Sequence, residues 1–370
     1  MSTRLMAQIW SLLNNPFLPP VFFFAGVGYD TLTLTRIDRL QDNLILLLYL
    51  VVLGVLIILT GREEFRSGEP EFWESQPGML RWLGRAQPYY PMAMQFLLGG
   101  LFSAYAIFYF RSASLTSSAI FLLLLVGVLV ANEFLKDRLT NLSLLITLYA
   151  LVCLSFFTFF LPVVTGWMNR AVFLAGVGLS AATVYRVVQL IAKDNSAWTR
   201  RHSIKTLTPA AAVIGLLVGF YFFNWIPPVP LAMKFGGIYH EVRRAGDRFE
   251  LTFEKRWFEF LKRSDSDFPA GEPVYCFTAV FAPVNLDTTV YHHWYYRADR
   301  GKPYTHADRI PIKISGGRED GYRAYSFKQR LDQGDWRVDV ETEDGRVLGR
   351  VAVQVKTRPT ELSRLATIAY

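Results

Sequence analysis

Residues 44–59 read LILLLYLVVLGVLIIL, sixteen consecutive positions without a charge. With their flanks they fill 42–60, about the 20 apolar residues that a helix needs to cross the hydrocarbon core of a bilayer. Lipid offers the backbone no hydrogen-bond partners, so a segment of this kind must satisfy its own N–H and C=O groups, which a helix does. This stretch sets the class of the first 230 residues, because six more segments resemble it. They lie at roughly 17–35, 92–110, 115–132, 142–165, 171–191 and 208–226. The least regular is 17–35, which contains Pro19, Pro20, Gly26, Gly28 and Asp30. Arg186 falls near one end of 171–191, within snorkelling reach of the interface. Gly26, Gly28, Gly99 and Gly100 inside apolar runs read as small residues that let helices pack closely. Only Arg4 precedes the first apolar run and no small-residue cleavage site follows it, so the first helix is expected to be retained.

The apolar pattern stops at Trp225, Ile226, Pro227, Pro228, Val229 and Pro230, where three prolines forbid easy continuation of a helix. The charge density changes at the same place. Residues 1–230 carry 27 charged side chains, whereas the 140 residues after them carry 43. The chain-wide figures of 370 residues, 52% hydrophobic, 19% charged and net charge +8 therefore average two unlike parts. They exclude a disordered chain. Two cysteines exclude a disulfide framework. Cys153 falls in a membrane segment and Cys276 in an apolar strand, so the two are not expected to pair.

The basic residues also orient the membrane part. Eleven Lys and Arg fall on the side of the amino terminus, including Arg62, Arg66, Arg81, Arg85, Lys193, Arg200 and Arg201. Four fall on the other side: Arg36, Arg39, Arg111 and Arg170. Positive loops stay in the cytoplasm. Seven crossings then place the carboxy-terminal domain outside the cytoplasm. The loop over 61–91 is rich in aromatic residues and is expected to hug the interface. Anionic lipid accounts for most of the positive excess, so no nucleic-acid partner is expected.

After Met233 the period changes from helical to alternating. Strands are expected near 235–242, 248–257, 273–282, 288–298, 309–315, 322–330, 335–342 and 346–356, with turns at Asp320-Gly321, Gly334-Asp335 and Asp344-Gly345. Residues 257–263 could form a short helix, and 361–370 a loose tail or short helix. Trp336, Val338 and Val340 share one face of their strand and Asp335, Arg337 and Asp339 the other, which makes Trp336 a core anchor. The expected fold is a membrane α-helical bundle of about seven transmembrane helices over 1–230. It is followed by an all-β, immunoglobulin-like sandwich domain over 231–358 and a tail over 359–370.

Within the second part, Gly321, Tyr322, Arg323, Tyr325, Ser326 and Lys328 are followed by Gly334, Trp336 and Val338, and then by Asp344, Gly345, Leu348 and Gly349. With Trp294 upstream, this pattern resembles the bacterial domain of unknown function 2914, over about residues 270–356. Runs such as 29–38 and 102–112 are similar to the helices often found ahead of that domain. The resemblance implies a Gram-negative envelope protein and brings no activity and no catalytic residues.

Three constellations are candidates for chemistry. Asp30, Arg36, Asp38, Arg39 and Asp42, joined by Arg111, form a polar cluster at the outer ends of the helices. Charged groups at membrane depth are costly and usually paired. The plainer reading is an ion-paired knot that fixes helix ends, and the sharper one a transport or catalytic site. Asn132, Glu133, Lys136, Asp137 and Arg138 read as a helix-end network. Four of the five histidines, His240, His292, His293 and His306, fall in the second part. His292 and His293 are adjacent on a strand and point to opposite faces, which argues against one shared metal ion. Tyr291, His293 and Tyr295 share one face, and His292, Trp294 and Tyr296 the other. One face must be core, and the other can stack a sugar or pack a partner. No phosphate-cradling loop, dinucleotide fingerprint, nucleophile elbow or H-E-x-x-H motif is present. The reading that follows is a protein without catalysis, cofactor or metal, held in the lipid bilayer and presenting a periplasmic β-sandwich to an envelope protein or glycan. A membrane transporter or membrane-embedded enzyme built on the polar cluster is the alternative, and a signalling receptor the third.

Overall fold

The structure is a computed structural model, and it describes residues 39–64, 86–112, 115–134, 141–193, 198–255, 259, 262–284, 286–318, 320–357 and 364–370. The expected helix over 17–35 and the interfacial loop lie outside these residues, apart from the ends of the loop. The described chain divides into a helical unit and a β-rich unit.

Among the described residues, six α-helices occupy the first unit: α1 Leu40–Glu64, α2 Tyr90–Arg111, α3 Leu115–Phe134, α4 Leu142–Thr165, α5 Arg170–Ala192 and α6 Arg200–Phe222. Five of them, all except α3, are long and apolar enough to cross a membrane. A 23-residue helix rises about 35 Å, against a hydrocarbon core of about 30 Å. The helix starts follow from local chemistry. The Asn141 side chain accepts a hydrogen bond from Leu144 N at 3.1 Å, and that of Asn169 from Val172 N at 2.9 Å, each satisfying a donor that the first turn leaves free. The residues expected to extend the last span to 226 are not helical, because Pro227 and Pro228 follow at once.

α4 is the inner helix of this unit, with 72% of its apolar window buried against 22–33% for α1, α5 and α6. On α1, Leu46, Leu50, Leu53 and Ile57 recur at helical spacing and are buried, while Leu44, Leu48, Val51 and Val55 are exposed. An exposed face as apolar as the buried one suits a lipid solvent. Of the glycines expected to let helices approach, Gly100 does so, as does Gly54, while Gly26 and Gly28 lie outside the described residues. A Cβ on Gly54 would come within 2.6 Å of the Tyr149 hydroxyl, and one on Gly100 within 3.1 Å of the Tyr49 ring. Tyr109 on α2 donates to the Ser155 carbonyl of α4 at 3.1 Å.

The β-rich unit has eleven strands in three sheets: β1 Ala232–Tyr239, β2 Glu241–Ala245, β3 Arg248–Lys255, β4 Asp267–Pro269, β5 Val274–Phe281, β6 Asp287–Arg297, β7 Thr305–Ser315, β8 Tyr322–Lys328, β9 Gly334–Thr342, β10 Val347–Lys356 and β11 Arg364–Ala369. The sheet orders are β1-β5-β8, β4-β10-β9-β6-β7 and β11-β3-β2. All eight expected strands are present, with 235–242 divided at His240 into β1 and β2.

The arrangement departs from a simple two-sheet sandwich. The β1-β5-β8 sheet packs one face on the five-stranded sheet, where Ile238, Val274 and Cys276 meet Trp294, Trp336, Val338 and Val353. Its other face packs on the third sheet, where Tyr239 and Phe277 meet Val242, Leu251 and Phe253. β5 is therefore covered on both sides, and its nearly unbroken apolar run, VYCFTAVF, is the sequence mark of such a strand. The expected tail is in part a strand. Residues 364–369 pair antiparallel with 250–255, because Ala366 and Ile368 have an apolar cluster to join. Of the expected helix over 257–263, only Glu259, Lys262 and Arg263 are described, and none is helical.

Candidate functional site

Strand β6 separates the two faces as its alternation requires. His292 and Trp294 point into the core and are fully buried. The His292 ring bridges the two facing sheets, with Nε2 2.8 Å from Thr278 Oγ1 on β5 and Nδ1 2.9 Å from Ser326 Oγ on β8. Trp294 Nε1 donates to the same Ser326 oxygen at 3.0 Å. Burial pulls the His292 pKa down to about 4, so the ring is neutral at pH 7. Lys328 lies over the Trp294 and Trp336 rings and pairs with Asp308. The serine and lysine of the Y-S-x-K run thus hold the core tryptophans. Two glycines of the pattern are required by the backbone. Gly321 has φ +88° and Gly334 φ +146°, and a Cβ at either would fall within 3 Å of neighbouring backbone.

The opposite face of the five-stranded sheet carries Tyr291, His293 and Tyr295, all half-buried. Antiparallel register sets Glu341, Asp339 and Arg337 of β9 beside them, in that order. His293 Nδ1 lies 2.9 Å from Glu341 Oε1 and 3.0 Å from the Tyr295 hydroxyl, and its Nε2 lies 2.7 Å from His306 Nδ1. Arg309 Nε donates to Glu341 at 2.8 Å and its guanidinium sits 3.8 Å from the Tyr291 ring centre. Arg337 lies 4.6 Å from the Tyr295 ring centre and 4.4 Å from that of Tyr304. Arg350 grips Asp339 with two donors at 2.6 and 2.9 Å, and the carboxylate raises the pKa of that guanidinium further. Burial raises the Tyr295 pKa, and Glu341 and Asp339 add to the effect.

The result is a braced face on which aromatic rings alternate with neutralised charge pairs. Asp339, on the face opposite Trp336 as expected, and Glu341 are only 3% and 5% exposed because arginine and tyrosine side chains lie over them. Hydrogen bonds link Glu341 through His293 to the exposed His306, but no serine or cysteine nucleophile is among these contacts. Alternation of β6 located the three expected residues. Their partners on β7, β9 and β10 were not legible, since cross-strand register is absent from the sequence of any one strand.

A second polar group joins His240, Glu254, Asp265 and Glu272. Asp265 is buried, takes a hydrogen bond from Glu254 N at 3.0 Å and has Oδ2 3.6 Å from His240 Nε2. Burial lifts the Asp265 pKa to about 7, against the opposing pull of the Glu254 backbone N–H and of Lys262. Burial lowers that of His240, against the opposing pull of Glu254 and Glu272. Among the described residues, no group of three or more His, Cys, Asp or Glu has the arrangement to hold a metal ion. Of the membrane polar cluster, Asp30, Arg36 and Asp38 lie outside the described residues. Arg111 is the last residue of α2, and its side chain is not described. Asp42, in the first turn of α1, has a buried Oδ2 without a hydrogen-bond partner among the described residues. Of the 132–138 network, Asn132 and Glu133 lie on α3 with side chains that are not described, and 135–138 lie outside the described residues.

Residues 287–355 match the family described as Protein of unknown function (DUF2914). The match runs from the start of β6 into β10, so it includes the braced face and the Ser326 bridge. No curated protein matches the chain. Among solved structures, the Pseudomonas fluorescens alkylpurine DNA glycosylase AlkC bound to DNA containing an abasic site analog aligns with 84% of this chain and 97% of its own. The identity is 9% and the TM-score 0.19, too low to bear on fold or function.

Proposed function

We propose that this chain is a non-catalytic inner-membrane protein. Seven transmembrane helices, the six described and one over 17–35, would anchor an immunoglobulin-like β-sandwich in the periplasm, where it binds an envelope glycan. The observation that carries the glycan reading is the face of Tyr291, His293 and Tyr295. Partly exposed rings offer the flat apolar surface on which sugar C–H faces stack. The guanidiniums beside those rings are held by carboxylates, Arg309 by Glu341 and both Arg337 and Arg350 by Asp339, so most of their charge is already engaged. Bracing also reduces the side-chain freedom lost on binding. Eleven basic residues on one side of the helices against four on the other support the periplasmic orientation.

Cosedimentation of the detergent-solubilised full chain with purified peptidoglycan tests the reading. Tyr295→Ala and Tyr291→Ala should each weaken binding by about tenfold, the worth of one lost stacking contact. Tyr325→Ala, which removes an exposed ring from another sheet, should leave it unchanged. Equal binding by all four proteins would end the proposal, as would saturable capture of a protein with no retention of glycan. Alkaline phosphatase fused after Tyr370 should be active, and an active cytoplasmic reporter at that position would overturn the orientation. Asp30→Asn and Arg36→Gln should lower abundance, as expected of a knot that fixes helix ends. Normal abundance with loss of a transported or converted solute would instead favour a transporter or membrane enzyme.

A further inference from the structure

A cavity of about 450 Å³ opens in the β-rich unit, away from the face just described. Arg244 at the end of β2, Arg318 before β8 and Arg323 on β8 line it. Among the described residues none of the three guanidiniums has an Asp or Glu side chain within 4 Å, whereas Arg297, Arg309, Arg337 and Arg350 on the braced face all do. The three are nevertheless positioned. Arg323 Nη1 donates to the backbone carbonyls of Asp247 at 2.6 Å and Tyr370 at 3.1 Å. Arg244 Nε donates to the Gly246 carbonyl at 3.2 Å, and Arg318 lies 5.4 Å from the Tyr322 ring centre. Arg323 Nε is buried and has no hydrogen-bond partner among the described residues. A buried donor left without a partner is costly, a cost that an incoming acceptor oxygen can relieve.

We propose that this cavity binds a small, singly charged oxyanion, a carboxylate or a phosphodiester, whose body rests on Phe249 and Tyr322. Guanidinium groups match such oxygens with paired N–H donors. The volume suits a small molecule. Asp247 and Asp320 also line the cavity and offset much of the arginine charge, which favours a monoanion over a dianion. The two aromatic walls favour a ligand with an apolar part.

Arginine modification by phenylglyoxal, read residue by residue by mass spectrometry on the full chain in detergent, tests this. Three probes are compared: benzoate, dimethyl phosphate and inorganic phosphate. Benzoate or dimethyl phosphate should protect Arg244, Arg318 and Arg323 saturably, by at least about fivefold, and the better of the two identifies the source of the oxyanion. Arg243 and Arg300, 67% and 79% exposed, should react as before. Arg318→Gln, in a connecting loop, should weaken the protecting probe by about tenfold without moving the thermal midpoint. Arg323→Gln should do the same, and Arg318→Gln alone decides the matter if that variant fails to fold. Absent or non-saturable protection, equal protection of Arg243 and Arg300, protection surviving in Arg318→Gln, or stronger protection by inorganic phosphate would each overturn the proposal.

Discussion

Lowering the pH from 7 to 4.5 should loosen the β-rich unit through one side chain, His292. In the fold its ring is neutral down to about pH 4 because burial opposes the charged form. In the unfolded chain an ordinary histidine takes up its proton near pH 6.5. Between those values the unfolded state holds more protons. The contribution of His292 is therefore fully present above pH 6.5 and is lost as the pH falls towards 4. From pH 7 to 4.5 the loss is about 2 kcal/mol, a roughly thirtyfold rise in the open population. His292→Gln supplies the comparison, since an amide can still donate and accept between Thr278 and Ser326 but does not titrate in this range. Hydrogen exchange of the full chain, read on peptides covering β6 and β9 and corrected for intrinsic exchange rates, measures the opening directly. The other titrating groups are common to both proteins and cancel in the difference. The wild type should open roughly thirtyfold more than the variant over this pH range. Identical pH dependence in the two proteins would refute a neutral, buried His292, and with it the polar bridge between the sheets.

Asp265 should behave in the opposite sense. Its pKa is raised to about 7, so the fold favours the neutral acid and loses stability as the pH rises from about 4 through 7. The stability of Asp265→Asn relative to wild type should accordingly improve by about 4 kcal/mol between pH 4 and pH 8, read by exchange of the β3 and β4 peptides. A constant difference across that range would show that Asp265 ionises normally. Gly321→Ala forces a Cβ against the Val280 backbone at a positive φ and should cost about 2 kcal/mol or more, visible as a lowered thermal midpoint of the β-rich unit.

Much of this protein could be read along the chain because its strongest signals are local. Five of the long spans follow from apolar runs that match a bilayer, and the eight expected strands from alternation between two faces. That His292 and His293 part to opposite sides of the sheet needs only the two-residue period of a strand. β4 carries too few residues to show a period. β11 pairs with a strand more than a hundred positions earlier, so the third sheet could not be seen in either segment alone. Charge partners are hidden for the same reason. The sequence of β9 places Asp339 on one face but names no partner, and register brings Arg350 onto it and Arg309 and His293 onto Glu341.

The sequence by itself determined that an apolar helical part precedes a β-rich one, and which residues of each strand share a face, since both depend on periodicity within a segment. Only the tertiary structure decided which side chains meet. It buried Asp265, stretched His292 between Thr278 and Ser326, and gathered Arg244, Arg318 and Arg323 around one cavity. Distances between strands are fixed by pairing and packing over long sequence separations, and no local pattern of residues encodes them.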